Sequence, residues 1–314
     1  MNGSIESIND EEKASVVASA ALDPLAMFLS DPESHLSDIL YIYFRIYKKR
    51  VLWGLMERIL AGMHLTGKEH LHIADIGASM GFDALFLMRK WTENFRRPLP
   101  CANVELTLIE GDRALIERGK GHLKSAFPPD IISHKYIHQP LEVKFELESG
   151  SQDIAICSEV LEHMENPGQI LEEIHRILRP GGYLMVTTDN SPSFLNYIRR
   201  IPSFLQGQYS KRYARPQKEA ETVGTYTWKE KEYRIYGHIN LNSTSFWERL
   251  CKKQGFDLVS YGTYESVRRG GGGTNPLVIA MYFVVGAIVS MLPRSLGRYF
   301  GDTTALLLQK PRKS

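Results

Sequence analysis

Residues 71–81 read LHIADIGASMG, a segment typical of a strand that runs through a tight turn into a helix. The apolar run that closes on Asp75 and Ile76 has the character of a short buried parallel strand. The residues that follow, GFDALFLMRKW (81–91), repeat apolar side chains at helical spacing. Backbone N–H groups at the start of such a helix lack partners, and glycine has no Cβ to keep a ligand away from them. The segment therefore predicts a site where an anionic or polar ligand group approaches the main chain.

The rest of the chain continues this alternation of strands and helices. A long amphipathic helix is predicted over 36–60, and NFRRPLPCAN (94–103) is predicted to be an inserted loop. Alternation of this kind predicts an α/β fold with a Rossmann-like, mainly parallel sheet of seven strands, covered by helices on both faces. The predicted strands are 71–76, 104–110, 133–138, one from 153, 183–188, 256–264 and 303–309, and further helices are predicted over 113–127 and 170–178.

The composition is that of an ordinary folded chain. It has 314 residues, of which 43% are hydrophobic and 24% charged, and a net charge of +2 does not indicate a dedicated polyanion binder. Cys101, Cys157 and Cys251 are widely separated, which fits a reducing compartment and offers no zinc spacing. The opening MNGSIESINDEEK is polar and acidic, unlike a signal or transit peptide, so we expect a cytoplasmic protein.

We divide the chain into three parts. Residues 1–13 are predicted to be a disordered tail, 14–69 a helical extension, and 70–314 the main α/β domain. Two insertions are expected within that domain, a cap over 190–240 and an apolar helical insertion over 270–298.

The glycine turn does not match a dinucleotide site. A G-x-G-x-x-G fingerprint would require glycine at 77, 79 and 82, whereas positions 79 and 82 hold serine and phenylalanine. The remaining pattern, D-x-G-x-x-x-G from Asp75, resembles motif I of the class I S-adenosylmethionine-dependent methyltransferases, with Ser79 in place of the middle glycine. The segments EVLEHM (159–164) and LRPGGYLMV (178–186) are similar to the fourth and fifth strand regions of the same family. The resemblance covers residues 70–189 and is closest to the small-molecule and quinone-biosynthesis branch.

The resemblance implies a cofactor, S-adenosylmethionine, and the residues that hold it. Glu110 ends the second strand, where the family carries a carboxylate that accepts hydrogen bonds from both ribose hydroxyls. The other implied contacts are Asp75, Gly77, Ala78, Ser79 and Gly81 to the methionine portion, Gly111 and Asp112 beside the ribose, Gln139, Pro140 and Leu141 to the adenine, and Ser158, Glu159 and Val160 facing the sulfonium.

Metal binding and the catalytic base need separate consideration. Glu159, Glu162 and His163 have a spacing that could hold a metal, but the same pattern supports the cofactor loop in relatives without one, so we predict no metal. RIYGHIN (234–240) resembles a family segment near the cofactor's methyl end, and histidine has a suitable ordinary pKa. His238 is therefore a candidate base, with a purely structural histidine as an equal alternative. Asp189 and Asn190, directly after the fifth strand, are the other candidates.

The implied reaction is methyl transfer to a small-molecule acceptor. Within the cap, residues 199–218 are basic and rich in aromatic residues. Such a segment could bind a hydrophobic or aromatic acceptor, including an anionic one, and it could equally be a solvated loop. Methylation of a nucleic acid would require an Asn/Asp-Pro-Pro-aromatic segment after the fourth strand, or a catalytic Pro-Cys pair. CSEV (157–160) occupies the place of that segment, so no nucleic-acid partner is expected. A non-catalytic cofactor-binding protein is a further alternative.

The apolar run 276–293 has 16 residues without a charge between two prolines. A helix of this length is too short to span a bilayer. The run is therefore predicted to form either a core helix or a helix that lies in the lipid interface.

Overall fold

The computed structural model describes residues 46–63, 68–94, 101–126, 132–190, 222–264, 284, 288 and 291–312. The predicted tail (1–13), the start of the long helix (36–45) and the basic part of the cap (191–221) lie outside the described residues. The strands are β1 (Lys68–Ile76), β2 (Cys101–Glu110), β3 (Ile132–His138), β4 (Gln152–Ser158), β5 (Leu178–Asp189), β6 (Thr222–Trp228), β7 (Lys231–Tyr236), β8 (Asp257–Tyr264) and β9 (Thr303–Gln309). The helices are α1 (Ile46–Gly62), α2 (Phe82–Asn94), α3 (Arg113–Ala126), α4 (Pro167–Ile177), α5 (Thr244–Lys253) and α6 (Arg294–Phe300), with a 3₁₀ turn at Leu161–His163.

Seven strands form one sheet in the order β3-β2-β1-β4-β5-β9-β8. The pairs from β3 to β5 are parallel, and β9 runs antiparallel to both β5 and β8. The predicted seven-stranded, mainly parallel α/β sheet is therefore confirmed. Parallel order brings the ends of β1, β2 and β4 to one edge, where ligands bind in open sheets of this kind.

Two layers of apolar side chains cover the sheet. On one face, Leu52 of α1 and Leu87 of α2 pack with Ile73 of β1. On the other face, Ile170 of α4 and Trp247 of α5 belong to a second cluster, which contains Ala74 and Ile76 of β1. Because both faces are covered, the central strands are almost uniformly apolar, as the continuous run in β1 had indicated.

Several element boundaries differ from the sequence prediction. Helix α4 begins at Pro167 rather than 170, because Asn166 caps it through a side-chain bond from the N–H of Gln169. The RPGG segment (179–182), which was expected to separate helix from strand, lies inside β5. The predicted loop over 94–103 was wrong at its end, since β2 already starts at Cys101.

A β-hairpin in the cap was not predicted. β6 and β7 pair antiparallel and are joined by Lys229 and Glu230, both with positive φ (46° and 66°). This backbone matches a tight hairpin turn that Asn-Gly usually forms. Neither residue is glycine or asparagine, so the local signal for the turn is absent from the sequence.

The last two predicted strands, β8 and β9, pair antiparallel with each other. Within the apolar run between them, Val284 and Ile288 are described; both are helical and more than half exposed (59% and 56%). Among the described residues, no helix is both long and apolar enough to cross a membrane.

Candidate active site

The turn after β1 has the backbone geometry that its glycines indicate. Gly77 and Gly81 adopt positive φ (69° and 78°), and so does Ser79 between them (53°). A Cβ at position 77 would lie 2.5 Å from Val160 Cγ2, so a side chain there would collide with the segment after β4. The N–H groups of Gly77 and Ala78 both donate to Ile109 O, at 2.9 and 3.0 Å, which fixes the turn against the end of β2.

Glu110 connects this turn to the segment after β2. Its Oε2 accepts from the N–H of Ser79 at 2.7 Å, and its Oε1 accepts from the N–H of Asp112 at 2.9 Å. Burial raises the pKa of Glu110, and these backbone donors oppose the shift. The N–H of Gly111 also lowers this pKa, and because a carboxylate has about four lone-pair positions, acceptor capacity remains for a ligand hydroxyl.

Asp75 lies almost completely buried below the turn, with 2% of its surface exposed. Burial, then the charge of Asp83, raises its pKa to about 8, while Lys48 opposes this. Its Oδ2 has no hydrogen-bond partner among the described residues. A buried carboxylate oxygen without a partner is a position that favours a cationic ligand group.

The segment after β4 lies against the same turn. Ser158 Oγ is 2.8 Å from Thr187 Oγ1, and the N–H of Glu159 donates to Thr187 O at 2.8 Å. Glu159 has a positive φ of 58°, a sharp bend that brings Val160 onto Gly77. The structure thus brings Val160 onto the turn at 77–81, and the contact of 158–160 with the sulfonium stays a prediction.

Gln139 is fully buried in the loop after β3. Its Oε1 accepts from the N–H of Glu146 at 2.8 Å, and its Nε2 donates to Lys144 O at 3.3 Å. Both ends of the buried amide therefore hold the 140–146 loop, and the contact of Gln139 with an adenine edge stays a prediction. Pro140 is buried beside it, and Leu141 Cδ1 lies 3.3 Å from a Cβ placed on Gly77, so Leu141 reaches the turn, while contact of both residues with the adenine stays a prediction.

A cluster of acids and histidines lies at the carboxyl end of β5. His238 Nδ1 is 2.5 Å from Asp189 Oδ2; the histidine side chain is 41% exposed and the aspartate 2%. His163 stands edge-on to His238, with ring centroids 4.6 Å apart, and its Nδ1 contacts Tyr236 O at 2.9 Å. The pKa of His163 is lowered by burial and then by the charge of His238.

Glu162 is the fully buried member of this cluster. Burial, followed by the charges of Glu159 and Asp189, raises its pKa well above the ordinary value. Thr188 Oγ1 donates to its Oε2 at 2.9 Å, while its main-chain carbonyl accepts from Ile239 and Asn240. Glu162 therefore holds the segment that carries His238 against the end of β5.

Asn190 is a structural residue rather than a base. Its Nδ2 donates to Arg298 O and Gly301 O, both at 2.8 Å, and its Oδ1 accepts from the N–H of Thr244 at 3.1 Å. These bonds join β5, α5 and the end of α6. The suggestion that Asn190 acts as the catalytic base is corrected accordingly.

The same cluster has two overlapping groups of possible metal ligands. Glu162, His163 and His238 form one, and Glu159, Glu162 and Asp189 form the other, with ligand atoms within 4.8 Å of one another in each group. Several of these atoms already have protein partners, among them Glu162 Oε2, His163 Nδ1 and Asp189 Oδ2. The sequence prediction of no metal stays a prediction.

The sequence analysis did not predict two aromatic residues that lie near the carboxyl ends of β2 and β3. Tyr226 lies against Gly111, and Trp228 Nε1 donates to His138 O at 2.8 Å. The alternation of polar and aromatic residues in TVGTYTW (222–228) is the signal that could have indicated a strand there.

A separate cavity of about 490 Å³ lies between α1, β8 and the start of α6. Arg58, Tyr261 and Gly297 are among the residues that line it. The predicted cofactor and base residues do not contribute to its wall, so the site at the carboxyl ends of β1, β2 and β4 is the better candidate for chemistry.

The fold and the site together define a class. A seven-stranded sheet with one antiparallel strand carries a glycine turn after β1 and a carboxylate at the end of β2, which is the arrangement of a class I S-adenosylmethionine-dependent methyltransferase. Three features fit that cofactor: the positive-φ backbone of the turn at Gly77 and Gly81, the acceptor capacity of Glu110, and the partnerless Asp75 oxygen for a cationic amino group.

Comparisons with known proteins agree with this class. A family model described as a methyltransferase domain matches residues 55–261, more than half of the chain, so the chain belongs to this methyltransferase family. A mitochondrial ubiquinone biosynthesis O-methyltransferase of Dictyostelium discoideum is 33% identical over 113 residues, which is 34% of this chain and 32% of that protein. A human thiol S-methyltransferase is 38% identical over 50 residues, 16% of this chain and 20% of that protein.

One solved structure is similar over most of the chain. An S-adenosylmethionine-dependent methyltransferase of Methanosarcina mazei aligns with a TM-score of 0.49 and 15% identity, covering 78% of this chain and 95% of that one. The chain spans about a third of the length of the Dictyostelium relative that it matches. Family membership therefore rests on the domain match.

Proposed function

We propose that the protein transfers the methyl group of S-adenosylmethionine to a hydroxyl oxygen of a small hydrophobic acceptor, with His238 as the base. The observation that carries this proposal is the contact of 2.5 Å between His238 Nδ1 and Asp189 Oδ2 at the carboxyl end of β5. The Asp189 side chain is buried and held by the protein, whereas the His238 side chain is 41% exposed and can contact a ligand.

The pair suits proton abstraction from a hydroxyl. A carboxylate that accepts the Nδ1–H of a histidine fixes the tautomer in which Nε2 carries a lone pair. In that tautomer Nε2 of His238 accepts the acceptor's proton, and buried Asp189 stabilises the resulting imidazolium. Burial, with the charges of Glu159 and Asp189, raises the pKa of Glu162, and this shift favours the neutral form and opposes a second buried negative charge beside Asp189.

The turn and the segment after β4 supply binding and orientation. When bound, the cofactor supplies a methyl group on a positively charged sulfur, an electrophile with a good leaving group. Gly77 and Val160 pack together at the turn, Asp75 precedes the turn in the chain, and Glu110 accepts from the N–H of Ser79 within it. These residues hold a ligand in one orientation, so that alignment with the attacking oxygen accounts for much of the rate.

The choice of a hydroxyl acceptor is supported by two observations. The Dictyostelium relative is named as an O-methyltransferase, although the similarity covers only part of each chain. An acceptor whose hydroxyl is bound to an aromatic ring has a pKa near 10, within the range that a histidine base can deprotonate during methyl transfer. The human relative is named for thiols, and a thiol acceptor is therefore the main competing substrate class.

The test is methyl transfer from tritiated S-adenosylmethionine to a matched panel. A catechol, a catechol with a prenyl side chain, an aromatic amine and an alkyl thiol separate oxygen, nitrogen and sulfur acceptors. Transfer to a catechol is expected, and His238→Ala should lower turnover by roughly 10²–10⁴. In that variant, the affinity for S-adenosylhomocysteine, measured by calorimetry, should change by less than about twofold. Deleting a base that acts at the methyl end lowers kcat and leaves cofactor binding unchanged.

His134→Ala, on β3, is the matched histidine control and should keep full activity. Full turnover by His238→Ala would remove the proposed base. Transfer confined to the thiol or the amine would contradict the hydroxyl acceptor, and a wild type that does not bind S-adenosylhomocysteine would contradict the cofactor.

A further inference from the structure

The β6–β7 hairpin contacts the ends of β2 and β3, beside the predicted adenosine half of the cofactor site. Trp228 Nε1 donates to His138 O at 2.8 Å, and His138 Nε2 is 3.0 Å from Gly111 O. The hairpin is therefore connected through His138 to the residue that follows Glu110. This placement was not expected for an element of the cap.

Tyr226 makes the closest approach of the hairpin to the site. A Cβ placed on Gly111 would lie 2.5 Å from Tyr226 Cζ and 2.6 Å from its hydroxyl oxygen, so the ring fits only because position 111 is glycine. Burial raises the pKa of the Tyr226 phenol, and the nearby carboxylates of Glu142 and Glu110 raise it further. The phenol therefore stays protonated and neutral at physiological pH.

Neighbouring aromatic rings hold Tyr226 in this position. Tyr233 stacks on it with ring centroids 5.6 Å apart and an interplanar angle of 14°, and Trp228 stands edge-on to Tyr233 at 6.3 Å. Lys229 lies over the Trp228 ring at 4.1 Å. A ring with its orientation set by stacking is preorganised for a flat ligand.

The opposite end of the hairpin leads to the catalytic pair. β7 ends at Tyr236, whose carbonyl contacts His163 Nδ1 at 2.9 Å and whose hydroxyl donates to Glu165 at 2.6 Å. His238 follows two residues later. One continuous segment thus extends from the end of β2 to the pair of His238 and Asp189.

We propose that Tyr226 forms the outer wall of the adenosine site and contacts the purine or ribose of the bound cofactor through its ring. Gly111 presents no side chain to a ligand held by Glu110, and Tyr226 provides the apolar surface that is missing there. The inference rests on S-adenosylmethionine being the cofactor. It assigns a cofactor-binding residue to the cap, which the sequence had associated with the acceptor.

The experiment compares S-adenosylhomocysteine and 5′-methylthioadenosine, a ligand that has the adenosine portion but no amino acid. Tyr226→Ala should raise the dissociation constant of both ligands by roughly tenfold, the size expected for loss of an aromatic surface against a base. Tyr226→Phe keeps the ring and should bind both ligands within about twofold of wild type. Tyr299→Ala removes an exposed tyrosine of α6, 61% accessible, and should leave both constants unchanged.

Each outcome bears on the proposal. An unchanged dissociation constant in Tyr226→Ala would overturn it, and tighter binding would show instead that the ring occupies the ligand's place and must move away. A loss confined to S-adenosylhomocysteine would also overturn it, because Tyr226 would then act on the amino-acid portion. If Tyr226→Ala does not fold, Tyr226→Leu provides the same comparison, and a wild type that binds neither ligand would count against the cofactor rather than against Tyr226.

Discussion

Glu110 has two roles at the scale of a single residue, because it closes the turn and presents acceptors to a ligand. Its oxygens hold the N–H groups of Ser79 and Asp112 at 2.7 and 2.9 Å. Replacing it removes an acceptor for ligand hydroxyls and also loosens the backbone that surrounds them. The predicted ribose role and the observed turn role therefore reinforce each other.

Glu110→Ala should weaken S-adenosylhomocysteine binding by about 1.5–3 kcal/mol, the range for hydrogen bonds to a charged group. Calorimetry measures the change directly. Glu105→Ala is the control, since Glu105 lies on the same strand but is 45% exposed and pairs with His72. Equal affinity of wild type and Glu110→Ala would place the ribose acceptor elsewhere.

Asp75 predicts a pH dependence of stability. Its pKa is about 8 in the folded chain against an ordinary 3.8, so the folded state binds its proton more tightly than the unfolded state does. The contribution of Asp75 is therefore fully present below about pH 4 and is lost as pH rises through 8. Asp75→Asn cannot ionise and should not show this loss.

Denaturant unfolding of the ligand-free protein at pH 5, 7 and 9 tests this. The free energy of unfolding of wild type, relative to Asp75→Asn, should fall as pH increases. Parallel curves for the two proteins would mean that Asp75 titrates normally. The wild type with S-adenosylhomocysteine should lose less stability at high pH, if the cationic amino group pairs with the partnerless oxygen.

At the scale of an element, the turn between β1 and α2 depends on glycine at one position above all. Gly77 has a φ of 69° and a neighbour, Val160 Cγ2, that would lie 2.5 Å from an added Cβ. Gly77→Ala should therefore lower the free energy of unfolding by roughly 1–3 kcal/mol, from backbone strain and overpacking.

Gly54→Ala is the matched substitution, since Gly54 lies inside α1 and an added Cβ there has nothing within 4 Å. It should raise stability by about 0.5–1 kcal/mol, because alanine is the better helix former. The two variants are compared by urea unfolding. A Gly77→Ala protein as stable as wild type would show that the segment after β4 can move away without loss.

At the scale of the whole molecule, the apolar run 276–293 has exposed apolar side chains among its described residues. Val284, Ile288 and Met291 are described as helical and exposed, at spacings of four and three that place them on one helix face. We propose that this face contacts a lipid surface, which would bring a lipid-linked or prenylated acceptor to the enzyme.

Co-sedimentation with anionic liposomes at low salt tests the proposal. Wild type should sediment with the vesicles, and a Val284→Asp, Ile288→Asp pair should reduce the bound fraction severalfold, because charges in an apolar face oppose lipid burial. Val259→Asp, on a valine of β8 that is 48% exposed, is the control and should bind like wild type. A wild type that stays in the supernatant would rule out the membrane contact.

Much of the fold could be predicted from the sequence because its signals are local. The apolar run before Asp75 and the glycines after it lie within a few residues of one another, and the acid that ends β2 closes a second short apolar run of its own. Short-range patterns of this kind fix strand, turn and helix regardless of what packs on them. They also placed Glu110, Gly77 and Val160 around one turn, since parallel strands bring their carboxyl ends to one edge.

Only the tertiary structure could decide which partners the polar side chains have. Asp189 and His238 are 49 residues apart in the chain and meet at 2.5 Å, while Gln139 bonds its own loop and Asn190 joins three elements. Tyr226 is placed on Gly111 by a hairpin whose turn lacks the usual residues. A hydrogen bond depends on distances of a few tenths of an ångström between groups from separate elements, and such distances are set by packing rather than by local sequence.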